Sequence, residues 1–152
     1  MSKTFLLAIA LALQGALWAE ESQTTAFAFD HVALSVSDLN ASSEFYEAVF
    51  GLKEISNRTR IEGIRWFSLG EGKELHLISV VKEPVKLNKA VHFALKAADF
   101  DEFLATIKAM DLEFTNFPGT VGEVSVRADG VRQVFLQDPD NYWIEINSAA
   151  PN

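Results

Sequence analysis

Three histidines and one glutamate carry the groups in this sequence that could bind a metal ion together. His31 lies in the stretch FDHVALSV, and His92 lies in VHFALKAAD, which repeats the same order of residues. His76 (ELHLIS) and Glu145 (WIEINS) occupy matching places in two later stretches. Imidazoles and a carboxylate bind divalent first-row metals and leave room for water or substrate. These four residues are therefore the candidate metal ligands.

Strand alternation predicts that the four side chains lie on one surface. Successive side chains of a β-strand point to opposite faces. In FDHVALSV, Val32, Leu34 and Val36 then share one face, and His31 lies on the other. A single histidine on a strand is more often a surface or hydrogen-bonded residue than a ligand. Because every histidine of the chain occupies a repeated position, the metal site is the favoured interpretation.

The elements that must position these residues follow the same order in both halves. In the first half Asp38 or Asn40 can cap a helix that ends at Gly51, and three extended segments follow. In the second half Asp99 and Glu102 form a capping-box pattern at the start of a helix. Strands near 112–116 and 122–127 come next, then a tight hairpin and two final strands. Each half thus reads as strand, helix and three strands.

An internal repeat of this kind predicts an α+β fold with two tandem βαβββ modules. We expect the modules to form a curved, cleft-shaped mixed sheet with the helices on its outer face. A single domain is placed over 28–148. Module one covers 28–80, a linker covers 81–88, and module two covers 89–148.

The N-terminus has the sequence of a secretory signal. Lys3 and Thr4 are followed by FLLAIALALQGALWA, fifteen residues without a charge, and then by Glu20 and Glu21. This order is typical of a signal peptide, whereas a membrane-spanning helix needs about 20 apolar residues. We expect a signal peptide over 1–19, a lead-in over 20–27 and no stable membrane anchor after cleavage. The protein is then periplasmic or secreted.

Charge and cysteine content exclude several functions. The 13 Lys and Arg against 21 Asp and Glu give a formal net charge of −8. Nucleic-acid binding needs basic residues that neutralise phosphates, so such a partner is not expected. The absence of cysteine excludes disulfides, thiolate metal ligands and a cysteine nucleophile.

Two longer segments resemble the vicinal oxygen chelate superfamily, which includes glyoxalase I, fosfomycin-resistance thiol transferases and extradiol dioxygenases. FDHVALSVSDLNASSEFYEAVFGLKE resembles its opening strand, helix and strand, and FLQDPDNYWIEI resembles its closing signature. The resemblance implies that His31, His76, His92 and Glu145 bind a divalent metal in a cleft. The cleft forms within one chain or across a homodimer. The resemblance does not distinguish zinc, nickel, manganese and iron.

The resemblance implies a glyoxalase-like lyase or isomerase that acts on a small oxygen-rich substrate. The metal would stabilise negative charge on substrate oxygens, and Glu145 is the candidate catalytic base. One alternative is a non-catalytic binding protein of the antibiotic-sequestering type. Another is a ring-cleaving dioxygenase that uses His31, His92 and Glu145, in which His76 would fill a position that such enzymes leave open.

Substrate contacts are less sharply indicated. Trp66 either lines the cleft or belongs to the core. Phe117-Pro118-Gly119 either covers the site or interrupts a strand. Four arginines could meet an acidic substrate or lie at solvated strand edges, namely Arg58, Arg65, Arg127 and Arg132.

Overall fold

The structure is a computed structural model that describes residues 27–150. Module one contains β1 (His31–Ser35), α1 (Leu39–Phe50), β2 (Lys53–Ile55), β3 (Ile64–Gly70) and β4 (Lys73–Ile78). Module two contains β5 (His92–Lys96), α2 (Phe100–Ala109), β6 (Ser125–Val126), β7 (Arg132–Gln137) and β8 (Trp143–Asn147). The predicted signal peptide and most of the lead-in lie outside the described residues.

Two four-stranded sheets have the same topology. Their strand orders are β1-β4-β3-β2 and β5-β8-β7-β6, and each contains one parallel pair, β1 with β4 and β5 with β8. Their registers also match, because Ala33 lies opposite His76 and Ala94 lies opposite Glu145. The predicted α+β fold with tandem βαβββ units is confirmed.

Both helices begin at a predicted cap, and α1 also ends at the predicted glycine. Asp38, rather than Asn40, caps α1, and its carboxylate accepts hydrogen bonds from the backbone of Asn40 and Ala41. Gly51 ends α1 in the left-handed conformation with φ 64°. Asp99 caps α2 by accepting from the backbone N–H of Glu102.

The segment between α2 and β7 contains less strand than predicted. Thr115 forms isolated bridges with Val121 and Phe135, and β6 has only two residues. The side chain of Asn116 accepts hydrogen bonds from the backbone of Gly119 and Thr120. A side chain thus satisfies backbone groups that a longer strand would have paired. The prediction of two full strands here is wrong, and Phe117-Pro118-Gly119 lies in the turn.

One hydrophobic core joins the two modules. The aliphatic face of each sheet packs against both helices, and Phe50 of α1 stacks on Phe103 of α2 with ring centroids 6.0 Å apart. The buried residues of this core come from both modules: Leu34, Val36, Tyr46, Val49, Phe67, Leu75, Leu77, Phe100, Leu104, Ile107, Phe114, Val134, Leu136, Ile144 and Ile146. Because the aliphatic faces meet in this core, the opposite faces of the sheets point away from it.

The turn at 138–142, which precedes β8, attaches module two to module one. Tyr46 donates its hydroxyl hydrogen to Asp138 at 2.8 Å. The Asp140 carboxylate accepts from the backbone N–H of Ser37 at 2.8 Å and from the hydroxyl of Ser42 at 3.1 Å. These bonds join the two modules at this turn.

Neither helix within residues 27–150 has the length and the apolar character that a membrane span requires.

Replacement of Asp138 by asparagine is expected to change how stability depends on pH. Burial raises the pKa of Asp138 above its ordinary value of 3.8. The folded state then holds the proton more tightly than the unfolded chain does. The stability from this carboxyl is complete below the unfolded pKa and is lost as pH rises through the folded pKa. Asp138→Asn cannot ionise, but its amide oxygen can still accept from the backbone of Asp140 and Tyr142.

Urea denaturation of both proteins between about pH 3.5 and about pH 7 measures this effect. The free energy of unfolding of the unsubstituted protein should fall relative to that of Asp138→Asn as pH rises. Each tenfold change in proton affinity corresponds to about 1.4 kcal/mol. A difference that does not vary with pH would contradict the prediction.

Candidate metal centre

Half-site one consists of His31 and His76 on the face of the first sheet that points away from the core. Their rings stack with centroids 4.4 Å apart and an interplanar angle of 15°. Trp66 stacks on the other side of His76, at 4.2 Å and 8°. Trp66 and His76 are register partners on β3 and β4, and His31 lies on the same face of β1, two residues from Ala33, which is the register partner of His76 on β1. Trp66, which is itself buried, thus contacts one of the candidate ligands in half-site one.

A carboxylate holds one nitrogen of each ring in half-site one. Nδ1 of His31 lies 2.6 Å from Oδ2 of Asp30, and Nε2 of His76 lies 2.8 Å from Oε2 of Glu74. The hydrogen bond from His31 lowers the pKa of Asp30. Arg58 pairs with the other oxygen of Glu74 at 3.0 Å and lies over the Trp66 ring. An ionised carboxylate only accepts, so in a neutral ring the lone pair is left on Nε2 of His31 and on Nδ1 of His76.

Half-site two consists of His92 and Glu145 on the corresponding face of the second sheet. Nε2 of His92 lies 3.4 Å from Oε2 of Glu145. Nδ1 of His92 donates to the backbone carbonyl of Lys89 at 2.8 Å. The other carboxylate oxygen, Oε1, accepts from Asn147 at 2.8 Å and lies 3.6 Å from the Arg127 guanidinium. The Glu145 side chain is only 8% exposed, so its charge needs these partners.

Aromatic rings and one lysine surround half-site two. The rings of Phe135 and His92 are nearly perpendicular, with their centroids 5.3 Å apart. The centroid of the Phe117 ring lies 5.6 Å from that of Phe135. The Lys89 ammonium bonds to the hydroxyl of Thr115 at 2.8 Å and lies 4.4 Å from the centre of the Trp143 ring. Burial lowers the pKa of Lys89. These contacts hold the segment that follows α2 against β7 and β8, beside the two candidate ligands.

The geometry of His92 and Glu145 fits a bound metal. Because a carbonyl oxygen only accepts, Nδ1 of His92 carries a proton, and Nε2 of the neutral ring presents a lone pair to the carboxylate. Two electron-rich atoms in contact need a cation between them, either a proton or a metal ion. Nitrogen and oxygen ligands lie about 2.1 Å from zinc, which separates neighbours in a tetrahedral site by about 3.4 Å. The observed separation matches this value.

The two rings of half-site one do not converge in the same way. The lone pair of an imidazole nitrogen lies in the plane of its ring, and the planes of His31 and His76 are stacked and nearly parallel. They do not meet at a point about 2.1 Å from both rings. With the rings as placed, at most one of these two histidines can bind an ion shared with His92 and Glu145.

The four predicted ligands therefore occur as two pairs, one in each module. Within residues 27–150 no three His, Asp or Glu residues form a group that could hold a metal ion. The shared core explains the separation, because it turns the two half-sites outward. The predicted four-ligand site stays a prediction, since an assembly of two copies is one of the arrangements that it allows.

A cavity of about 880 Å³ lies on the apolar side of the sheets and is separate from both half-sites. Residues of both modules line it, including Val32, Phe50, Phe93 and Phe103. None of the four predicted ligands is among its lining residues.

Two of the four arginines considered as substrate contacts bond to other side chains. Arg65 donates to Asn40, and Arg132 pairs with Asp101.

Three polar residues that bond to side chains of the half-sites were not identified from the sequence. Asp30 and Glu74 bond to predicted ligands, and Asn147 bonds to Glu145. The available signal was their position, because Asp30 directly precedes His31 and the other two lie two residues from a ligand on the same strand face. Asn147 and Glu74 could thus have been found by the alternation that located the ligands.

Comparison with known proteins gives one family. The Glyoxalase/Bleomycin resistance protein/Dioxygenase superfamily matches residues 28–146. The uncharacterized protein YwbC of Bacillus subtilis is 29% identical over 122 residues, which cover 76% of this chain and 93% of YwbC. The fosfomycin resistance protein FosX of Listeria innocua is 26% identical, with 78% of this chain and 86% of FosX covered. Lactoylglutathione lyase GLX1 of Arabidopsis thaliana is 29% identical over 81% of this chain, which spans only 44% of that protein.

Solved structures agree with this fold. Oxidase ChaP-H2 superimposes with a TM-score of 0.67 at 19% identity, covering 83% of this chain and 96% of the oxidase. FosX from Listeria monocytogenes superimposes with a TM-score of 0.65 at 21% identity, covering 81% and 91%. At these identities the likeness establishes the architecture alone.

Proposed function

Because the chain belongs to the Glyoxalase/Bleomycin resistance protein/Dioxygenase superfamily, we propose that it is a metal-dependent lyase or isomerase of the glyoxalase type. Its substrate would be a small oxygen-rich compound that binds the metal through two neighbouring oxygens. The observation that carries this proposal is the contact between Nε2 of His92 and Oε2 of Glu145, which has the spacing and the electron pairs of two metal ligands. The relatives named as a lyase and as a fosfomycin resistance protein support a reaction on a small molecule.

Three side chains form the core of the proposed metal site. His92 and Glu145 supply one edge, and His31 supplies a third ligand through Nε2. His76 joins as a fourth ligand when its ring leaves the stack with Trp66. A bound zinc, nickel, manganese or iron ion would polarise substrate oxygens and stabilise the negative charge that develops on them.

The contacts of Glu145 support its role as the base. Asn147 and Arg127 hold Oε1, so that Oε2 is the atom left to exchange a proton. Its side chain is nearly inaccessible to water, so few solvent molecules compete with a substrate for Oε2. When displaced from the metal, Glu145 would accept a proton at Oε2 while Asn147 and Arg127 hold its other oxygen.

The complete site would form between two copies of the chain. The half-sites lie on sheet faces that point away from the shared core, and β1 and β5 are edge strands of their sheets. An edge strand is a place where a neighbouring chain can approach a sheet. In a twofold dimer, half-site one of each copy would face half-site two of the other, which gives two equivalent sites.

The stacking of His76 favours a second candidate, an oxygenase. Glu74 and Trp66 hold His76 in the stack. If His76 stays there, His31, His92 and Glu145 form the two-histidine, one-carboxylate set that non-haem iron oxygenases use with open positions for substrate and oxygen.

The chain is proposed to act after export, and this can be measured directly. The basic residue and uncharged stretch at 1–19 support removal of a signal peptide. Protein made in a bacterial host should appear in the periplasm or medium with a new N-terminus near Glu20. Mass spectrometry of the intact protein from each fraction reports the cleavage, and an uncleaved chain confined to the cytoplasm would contradict export.

Replacement of Glu145 by glutamine should remove the metal and leave the fold intact. The Gln amide oxygen can accept from Asn147, and its NH₂ group can donate to Nε2 of His92, so no buried polar atom is left unpaired. Loss of the anionic ligand should weaken metal binding by more than about 100-fold, since even an outer-shell change costs about 10–100-fold. Circular dichroism and metal analysis of protein purified without chelators measure both effects.

Glu54→Gln on β2 is the matched control, because Glu54 is exposed and lies outside both half-sites. It should retain the metal. Stoichiometric metal in Glu145→Gln would refute the assignment of Glu145. An unsubstituted protein that binds ligands but no metal would favour the binding-protein alternative, and turnover that requires oxygen would favour the oxygenase.

A site shared between two copies predicts complementation between two defective variants. His31→Ala damages half-site one, and His92→Ala damages half-site two. When the two variants are unfolded together and refolded, a heterodimer has one site with both defects and one site with neither. Native mass spectrometry should then detect heterodimers that hold one metal ion, whereas each variant alone holds none.

The controls for this mixture are the two variants refolded separately and then combined without unfolding. Metal should appear in these samples only as fast as subunits exchange. Heterodimers that form but bind no metal would show that each site lies within one chain.

A further inference from the structure

The hydrogen bond between His31 and Asp30 selects which nitrogen of His31 carries the proton. Nδ1 of the ring lies 2.6 Å from Oδ2 of Asp30, an exposed aspartate that accepts as a carboxylate at neutral pH. An ionised carboxylate has no hydrogen to donate. Nδ1 must be the donor, and Nε2 of the neutral ring keeps its lone pair.

The repeated position in module two reaches the same state with a different acceptor. Val91 stands where module one has Asp30, and the backbone carbonyl of Lys89 accepts from Nδ1 of His92 at 2.8 Å. His31 and His92 thus both donate from Nδ1 and present Nε2. Because the two acceptors differ, the feature that the modules share is the tautomer, in which Nδ1 carries the proton and Nε2 has the lone pair.

His76 differs from the other two histidines. Glu74 accepts from its Nε2, so that Nδ1 is the atom with the free lone pair. Asp30 also differs from Glu74 in its surroundings. The Asp30 side chain is 84% exposed, and exposed ion pairs contribute little to folding stability. Its contact with His31 therefore has little structural purpose of its own.

We propose that Asp30 is a positioning residue that keeps the proton of His31 on Nδ1 and thereby directs Nε2 to the metal. The proposal rests on the metal site proposed above. Without Asp30, the ring would spend part of its time with the proton on Nε2, where it blocks binding.

The first test reads the tautomers in metal-free protein. Long-range ¹H–¹⁵N correlation spectra of ¹⁵N-labelled protein, recorded well above the ordinary imidazole pKa of about 6.5, separate protonated from unprotonated ring nitrogens. In the unsubstituted protein, His31 and His92 should both be protonated on Nδ1. Asp30→Ala should shift His31 toward the Nε2-protonated form and leave His92 unchanged, so that His92 serves as an internal control.

The second test measures metal affinity in the same variants by competition with a chromophoric chelator. Asp30→Ala should weaken binding by about 10–100-fold. Asp30→Asn keeps an oxygen acceptor without the charge and should retain the His31 tautomer with an intermediate affinity. Glu44→Ala, which removes an exposed carboxylate from α1, should change neither property. The urea midpoint should be the same in all four proteins.

A proton on Nε2 of His31 in the unsubstituted protein would overturn the proposal. So would an Asp30→Ala variant with unchanged tautomer and affinity. If the unsubstituted protein binds no metal, the proposed function fails. The tautomer measurement is then still informative, since it needs no metal, and it decides separately whether Asp30 sets the proton position.

Discussion

Burial of the aliphatic sheet faces is the constraint on which the rest of this structure depends. Alternation along each strand puts aliphatic residues on one face and polar residues on the other. Once the faces that carry Leu34 and Ile144 meet in one core, the opposite faces must point outward with the candidate ligands. The turn at 138–142 also bonds to module one, where Asp138 accepts from Tyr46 and Asp140 accepts from Ser42. The separation of the two half-sites thus follows from the packing that stabilises the fold.

Sequence reasoning was sufficient for features that depend on local order. The repeat and the alternation predicted the succession of strands and helix in each module. The caps at Asp38, one of two candidates, and at Asp99 were correct because capping is a contact within one turn of helix. The segment near Asn116 was mispredicted, because one side chain there replaces strand pairing with local hydrogen bonds. The pairing of the ligands could not be derived either, since it depends on how two modules pack. The stack of Trp66, His76 and His31 depends on rotamers, which the residue pattern does not encode.

The two half-sites distribute negative charge differently. Half-site two contains a candidate ligand that is itself a carboxylate, Glu145. At the equivalent position half-site one has His76, but Asp30 and Glu74 accept hydrogen bonds from its two rings. Replacement of a carboxylate ligand by a neutral imidazole would by itself make the metal a stronger Lewis acid. The nearby carboxylates oppose this effect, because a hydrogen-bonded carboxylate makes an imidazole a stronger donor to the metal.

The duplication also explains how one fold can present a base and a ligand at equivalent positions. His76 and Glu145 occupy the same register on β4 and β8, yet their neighbours hold them differently. His76 is confined between two rings, and its Nε2 is engaged by Glu74. Glu145 is held through one oxygen only, by Asn147 and Arg127, and its second oxygen faces His92. A residue fixed at one atom and free at the other can exchange a proton without losing its position, so module two is the half that we expect to carry the chemistry.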